Sequence, residues 1–410
     1  MRRFLIDNRR WLATGLLLTF GSSFGQTWFI SLFAGEIRAE YGLSDGQWGA
    51  LYTLATLGSA ALLLSRGSLA DTVPFSRLVP LVAGMFAIAA LAMAFGTSIW
   101  ALGIAVFLLR FCGQGMFSHV AATAMGRWFV ATRGKAVAIK GLGYPIGEMV
   151  LPILVVILIG AIGWRATWGV TAAFIGLVIL PVLMLLLAQD RVPSGQTEAV
   201  GSTGLAGRHW RRGEVLRHWL FPALIPLMLT PGFIGTVVFF HQVHIAEIKG
   251  WSLVQMAPAY PVFATVTVVT SLIAGWAADR FGADRFLPVV LLPMGLSMFL
   301  IGPAETPAHW MLTLAVLALT QGVVGTLWGA LLPMVYGTNH LGAVRSMVIA
   351  LMVFSTAIGP GITGALIDWG VPFPDQGFAM GIWCLLLAGA MGLVLRRLTA
   401  ERRSIPVQTL

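Results

Sequence analysis

Runs of apolar residues long enough to cross a bilayer recur through this chain, and they limit its fold more than any other feature. They fall at 11–36, 48–66, 78–97, 99–124, 136–160 and 166–188, then at 219–246, 253–274, 286–302, 308–334, 344–367 and 376–395. About 20 largely apolar residues cover ~30 Å of hydrocarbon as a helix, and a helix satisfies its own backbone hydrogen bonds there. The pattern predicts an all-α membrane protein with twelve transmembrane helices. Charged residues make up only 10% of the chain, against roughly 25% in soluble domains, so most of the surface must face something other than water. The basic N-terminus (Arg2, Arg3, Arg9, Arg10) precedes a run too long for a signal peptide, and that run is read as the first span.

The interruption at 189–218 is polar, glycine-bearing and basic, with Arg208, Arg211, Arg212 and Arg217. It divides the chain into an N-terminal six-helix bundle (1–188), a cytoplasmic linker and a C-terminal six-helix bundle (219–410). With the N-terminus inside, 22 of the 26 Lys and Arg residues fall in inside segments, and the outside loops hold only Arg38, Arg165 and Lys249. Basic residues accumulate on the cytoplasmic side of membrane proteins. The net charge of +10 therefore reports orientation in a cell (inner) membrane, with both termini cytoplasmic, rather than nucleic-acid binding. Cys112 and Cys384 sit inside apolar runs without ligand spacing, which argues against a disulfide framework or a metal site.

The two halves repeat. Sliding 42–80 onto 250–288 gives ten gapless identities: Gly42/Gly250, Ser44/Ser252, Gln47/Gln255, Tyr52/Tyr260, Leu64/Leu272, Gly67/Gly275, Ala70/Ala278, Asp71/Asp279, Arg77/Arg285 and Pro80/Pro288. Shared apolar composition accounts for pairs such as Leu64 and Ala70, but not for paired Asp, Arg, Gln and Tyr. Parallel repeats about an axis along the membrane normal are a transporter architecture.

The best-matched stretch is the short loop after the second span and its copy after the eighth. The copy reads Gly275-Trp-Ala-Ala-Asp279-Arg280-Phe-Gly282-Ala-Asp-Arg285, and the first loop reads Gly67-Ser-Leu69-Ala-Asp71-Thr-Val-Pro-Phe-Ser-Arg77. This resembles the signature loop of the major facilitator superfamily. The resemblance spans the chain: twelve helices, a central linker and both loops. It implies two pseudo-symmetric six-helix bundles rocking about a central site, with Gly67, Asp71, Arg77, Gly275, Asp279, Arg280 and Arg285 as a conformational latch. Pro74 in place of the second glycine implies a weaker latch in the first loop. The segment Trp128-Phe129 through Arg133-Gly134-Lys135-Ala136, with Gly141, Gly143 and Gly147, is similar to the helix 5 entry of monocarboxylate and oxalate–formate carriers. The chain departs from those carriers in lacking the acidic residue of their Asp-Gly-containing helix 1 motif and in having no charge in helix 8 (253–274).

Charged residues in mid-membrane are costly and mark pathways. Arg110 in helix 4 and Glu148 in helix 5 reach similar depths on consecutive antiparallel helices, and are expected to face each other, with Glu148 as a protonation-sensitive partner. A purely structural ion pair is the competing reading. Helical spacing extends a polar stripe over Arg110, Gln114 and Ser118, and another over Lys140, Tyr144 and Glu148. Thr19, Ser22, Ser23 and Gln26 share a face of helix 1, although Ser and Thr often only bond their own backbone. Helix 10 adds Gln321 and Trp328. His241 and His244 share a face near the outer end of helix 7, as proton entry, outer gate or plain interfacial hydrogen bonding.

These residues predict a proton-coupled secondary transporter of a small organic solute, with an organic anion such as a monocarboxylate as substrate. Arg110 and Lys140 would meet a carboxylate, while Glu148 or the histidines would carry the proton. Two other readings are an efflux pump for amphipathic compounds and a non-transporting membrane sensor. No nucleotide loop, zinc helix or nucleophile motif is present, and the loops are too short for a catalytic domain, so neither an enzyme nor a cofactor is expected. The expected partners are a small-molecule substrate, protons and the lipid bilayer, around a monomer.

Overall fold

A computed structural model describes residues 2–129, 132–189 and 203–404 of the chain. We label the helices that carry the apolar runs α1 (Arg3–Gly25 with Thr27–Tyr41), α2 (Asp45–Thr72), α3 (Phe75–Phe95), α4 (Ile99–Trp128), α5 (Arg133–Ile162), α6 (Trp164–Leu187), α7 (Leu220–Phe240), α8 (Leu253–Phe281), α9 (Leu292–Ile301), α10 (Pro307–Tyr336), α11 (Leu341–Asp368) and α12 (Phe373–Arg403). Ten of these are long and apolar enough to cross a membrane, and α1 makes an eleventh if its two parts, bent by 44°, count as one span. The run at 286–302 forms only the short α9. Pro288 has no N–H to donate and Pro293 sits in the first turn of α9, so the residues before it make turn-type bonds such as Val289 N–H to Phe286 O. Leu64, Leu177 and Leu272 are 81%, 77% and 71% exposed, a pattern that requires lipid around the helices.

The sequence identities between the halves acquire a physical meaning at the helix junctions. Gly42 (φ +64°) ends α1 and Gly250 (φ +66°) ends the short helix Gln242–Lys249 that continues α7. Both adopt the left-handed conformation that glycine accepts without a Cβ penalty. Two residues later Ser44 and Ser252 cap the next helix in the same way. Each side chain accepts from the backbone N–H of Gln47 or Gln255, whose own side chain accepts from the cap N–H. One stop–start signal is thus written twice. Tyr52 and Tyr260, two turns into the helices that follow, are both fully buried.

The chain forms two compact units. One contains the first six helices together with residues 239–257 and 360–368, and the other contains most of α7, α8 and α11 with α9, α10 and α12. In the second unit Gly322 of α10 lies against the Thr267 carbonyl of α8, leaving no room for a Cβ. The described part of the expected linker is folded onto this unit. Trp210 donates its N–H to the Tyr336 carbonyl at the end of α10, and its ring meets the Tyr336 ring edge-on at 5.9 Å.

In the first unit α1 and α4 cross through Gly25 and Gly113, and a Cβ on either would overlap the backbone of the other. Gly113→Val is expected to cost about 1–3 kcal/mol of stability through overpacking, read as a lowered midpoint in detergent thermal unfolding. Gly134→Ala, at a position with open space around it, should leave that midpoint unchanged or slightly raised.

Candidate functional site

The crossing of α1 and α4 is irregular on both sides. Residues Ser22–Gly25 of α1 form a 3-10 turn and Gln26 is extended (φ −80°, ψ 154°), which breaks the helix. Opposite it, Arg110–Phe117 of α4 are wound as a π-helix, a form that recurs at functional sites. Irregular backbone at membrane depth persists only where protein or a cavity satisfies its polar groups, and here Arg110 does so. Its Nη1 donates to the Gly25 carbonyl at 3.0 Å and to Thr27 Oγ1 at 3.3 Å. Thr27 Oγ1 also accepts from the Tyr52 hydroxyl at 2.8 Å, and the guanidinium carbon lies 5.2 Å from the Tyr52 ring centre.

Arg110 is 1% exposed, yet its Nε and Nη2 have no hydrogen-bond partner. No carboxylate among the described residues pairs with it. Buried charges without partners are strongly unfavourable, and two of its nitrogens keep unused donors. Further aromatic rings pack on Tyr52. Trp48 stacks on Phe240 at 5.9 Å, Tyr52 meets Phe240 at 4.9 Å, and the buried Trp48 Nε1 is likewise without a partner.

The expected Arg110–Glu148 pair does not form. Arg110 points into the α1 break and against Tyr52 of α2, while Glu148 stands on a half-buried stretch of α5 with no ion-pair partner among the described residues. Equal depth on neighbouring helices was not sufficient, because rotation about each helix axis decides which groups meet. The two stripes do join elsewhere: the Tyr144 hydroxyl donates to Ser118 Oγ at 2.6 Å, and Lys140 Nζ lies 6.0 Å from the Tyr144 ring centre. Gly143 and Gly147 of α5 press on Thr19 and Ser23 of α1. Thr19 and Ser22 spend their hydroxyls on backbone carbonyls, whereas the buried Ser23 Oγ has no partner. Gln26 and Gln114 are half-buried beside the crossing.

In the second unit Gln321 donates to the Pro231 carbonyl of α7 at 3.3 Å, and Trp328 is buried with an unpartnered Nε1. The histidines lie in the first unit. His241 Nε2 is 2.8 Å from Thr363 Oγ1, and His244 Nδ1 is 3.2 Å from Asp45 Oδ2.

The first of the two loops expected to act as a latch is contacted at its backbone carbonyls. Arg127 donates to the Ala70 carbonyl at 3.1 Å and lies over the Phe75 ring at 5.5 Å, while His119 Nε2 is 3.1 Å from the Gly67 carbonyl. Asp71 and Asp279 are exposed, as are Arg77, Arg280 and Arg285. In the second loop the paired carboxylate is Asp284, which accepts from Arg402 of α12 at 2.9 Å. Sequence reasoning missed Thr27 and Tyr52 as neighbours of Arg110. Tyr52 carried a signal in its repeat with Tyr260, but that signal reports a shared fold, not a shared site.

The sequence matches the family model of the Major Facilitator Superfamily over residues 15–272 and 243–408. It is 24% identical over 388 residues to a probable sulfoacetate transporter, SauU, of Cupriavidus necator, covering 87% of each chain. It is 22% identical over 397 residues to a gentisate transporter of Corynebacterium glutamicum, covering 90% of this chain and 86% of that one. Among solved structures, an inward-facing, unoccupied bacterial homologue of the human lysosomal transporter Spinster superposes with a TM-score of 0.72 at 17% identity, covering 96% of this chain and 98% of that one. With the family model matched over nearly the whole length, the chain belongs to the Major Facilitator Superfamily.

Proposed function

We propose that this protein is a secondary transporter that moves a small organic anion by alternating access, coupled to protons, with Arg110 as the group that meets the anion. The observation that carries this reading is the buried guanidinium with unpartnered Nε and Nη2 beside the broken α1. An arginine can present two parallel N–H donors to a carboxylate or sulfonate. The unpartnered Trp48 Nε1 and the Tyr52 and Phe240 rings suit an anion with an aromatic or compact apolar body. Relatives that carry sulfoacetate and gentisate support the class. Glu148, without a cationic partner, is the proposed proton carrier, and Lys140, Gln26 and Gln114 are the proposed polar wall. We place both termini on the cytoplasmic side of the inner membrane, in agreement with the charge distribution.

Proteoliposome uptake tests this directly. With radiolabelled gentisate, sulfoacetate and simple monocarboxylates and an inward proton gradient, at least one anion should accumulate. Arg110→Gln should reduce its uptake at least ~10-fold, the loss of one charge-assisted interaction of about 1.5–3 kcal/mol. If no panel member moves in folded protein, or if Arg110→Gln transports normally, the reading fails.

Coupling has its own readout. Glu148→Gln is expected to abolish gradient-driven accumulation while leaving substrate counterflow, which needs no net proton movement, within about 3-fold of the parent. Accumulation that survives the substitution would reduce Glu148 to a packing role.

A further inference from the structure

At the ends of α1 and α2 that the charge distribution places outside, three charged side chains and a histidine meet in a part of the molecule that the anion site does not use. Arg38, near the end of α1, donates through Nη1 to Asp45 Oδ2 at 2.8 Å and through Nη2 to both oxygens of Glu247 at 2.7 Å. Asp45 opens α2, and Glu247 lies on the helix Gln242–Lys249 that continues α7. On that same helix His244 brings Nδ1 to 3.2 Å from the Asp45 oxygen that Arg38 also holds. Arg38, Asp45 and His244 keep only 14% of their side-chain surface exposed, and Glu247 keeps 48%. Exposed ion pairs contribute little, whereas a half-buried group of this kind is screened far less by salt.

The neighbouring packing makes this a closure rather than a surface decoration. Gln242 donates to the Trp28 carbonyl and to Ser31 Oγ of α1 at 3.1 and 2.9 Å, and Ser31 donates to the Phe239 carbonyl at 2.6 Å. The last turn of α11 is fixed to the start of α2. Asp368 accepts from Ser44 Oγ at 2.6 Å and from the Gly46 N–H at 3.1 Å, and Gly49 lies against the Pro360 carbonyl without space for a Cβ.

The charges within the cluster do not balance. Arg38 faces two carboxylates, and a third, Glu36, lies close enough to Glu247 to repel it. His241, with its ring centre 6.2 Å from that of His244, is turned to Thr363. Lys249 follows on the same helix, and Asp368 is engaged with Ser44 and Gly46. A proton on His244 is the change that supplies a second cation to the shared Asp45 oxygen. Histidine is the side chain whose ordinary titration lies in the physiological range.

We propose that Arg38, Asp45, His244 and Glu247 form a proton-sensitive clasp that holds the outer ends of α1, α2 and the α7 continuation together, and that protonation of His244 tightens it. The direction suits a carrier that takes its proton from outside, since loading would favour closure on that side. The clasp does not depend on which anion is carried.

Distances between spin labels at Ala39→Cys and Ile248→Cys, in a Cys112→Ser, Cys384→Ser background in nanodiscs, test it without any substrate. The short-distance population should grow at least ~3-fold from pH 7.5 to pH 5.5. His244→Gln should remove that pH dependence. His244→Lys, carrying a permanent charge, should hold the short distance at both pH values, and Asp45→Asn should favour the long distance at both. A pH response that survives His244→Gln, a parent distribution indifferent to pH, or a His244→Lys protein that opens as the parent does would each overturn the clasp. Because the readout is a distance and not uptake, its failure is distinct from failure of the anion reading.

Discussion

A single buried cation organises the N-terminal six helices. Arg110 is buried, and its Nη1 donates to the Gly25 carbonyl, which the break in α1 leaves without a helical partner. The break in turn leans on that donor, because a free carbonyl in the middle of a bundle is itself unfavourable. Each irregularity therefore stabilises the other. The π-wound stretch of α4 and the Gly25–Gly113 approach follow from the need to bring guanidinium and carbonyl within reach. What this local solution leaves over is chemically specific: two unpartnered donor nitrogens and a positive charge shielded from water.

The same logic explains why the repeat is strongest where it is. Helix ends must dispose of carbonyls and N–H groups that have no partner within the helix. Gly42 and Gly250 turn the chain in the left-handed conformation, and Ser44/Gln47 and Ser252/Gln255 cap the next helix reciprocally. These requirements are the same in both halves, so the residues are the same. The charged residues beyond them diverge: Arg38, Asp45 and Glu36 surround the first junction, with Glu247 and Lys249 at the second. Junction geometry is common to the halves, whereas the electrostatics around it differ.

Much of this architecture was legible in the sequence because it depends on one-dimensional quantities. Apolar run length locates helices, and a constant offset between halves exposes the repeat. The run at 286–302 shows where that legibility ends, since Pro288 and Pro293 delay helix formation although hydropathy is unbroken. The site was readable in part. Arg110 stood out because a charge in an apolar run must be satisfied or used, and the Tyr144–Ser118 contact followed from two stripes at helical spacing. The Arg110–Glu148 pairing was not readable, because depth can be counted along a sequence and rotation about the helix axis cannot. Thr27 and Tyr52 join Arg110 only through the tertiary path that the broken α1 creates.

Separation of Arg110 from Glu148 has a consequence for any coupled mechanism. Were the two groups ion-paired, an arriving anion would have to displace the carboxylate, and proton and substrate would compete directly for one guanidinium. In the observed arrangement the cation has no carboxylate partner among the described residues, and the acid stands on α5, one turn beyond Tyr144. In a proton-coupled anion carrier built this way, helix packing would link the two groups by way of α1, which touches Arg110 at Gly25 and α5 at Thr19 and Ser23. Gly143 and Gly147 allow α5 to lie directly on α1, so a change in charge at Glu148 can bias how α1 sits across its break. A bent helix held at its break by an arginine offers one mechanical link between the two groups.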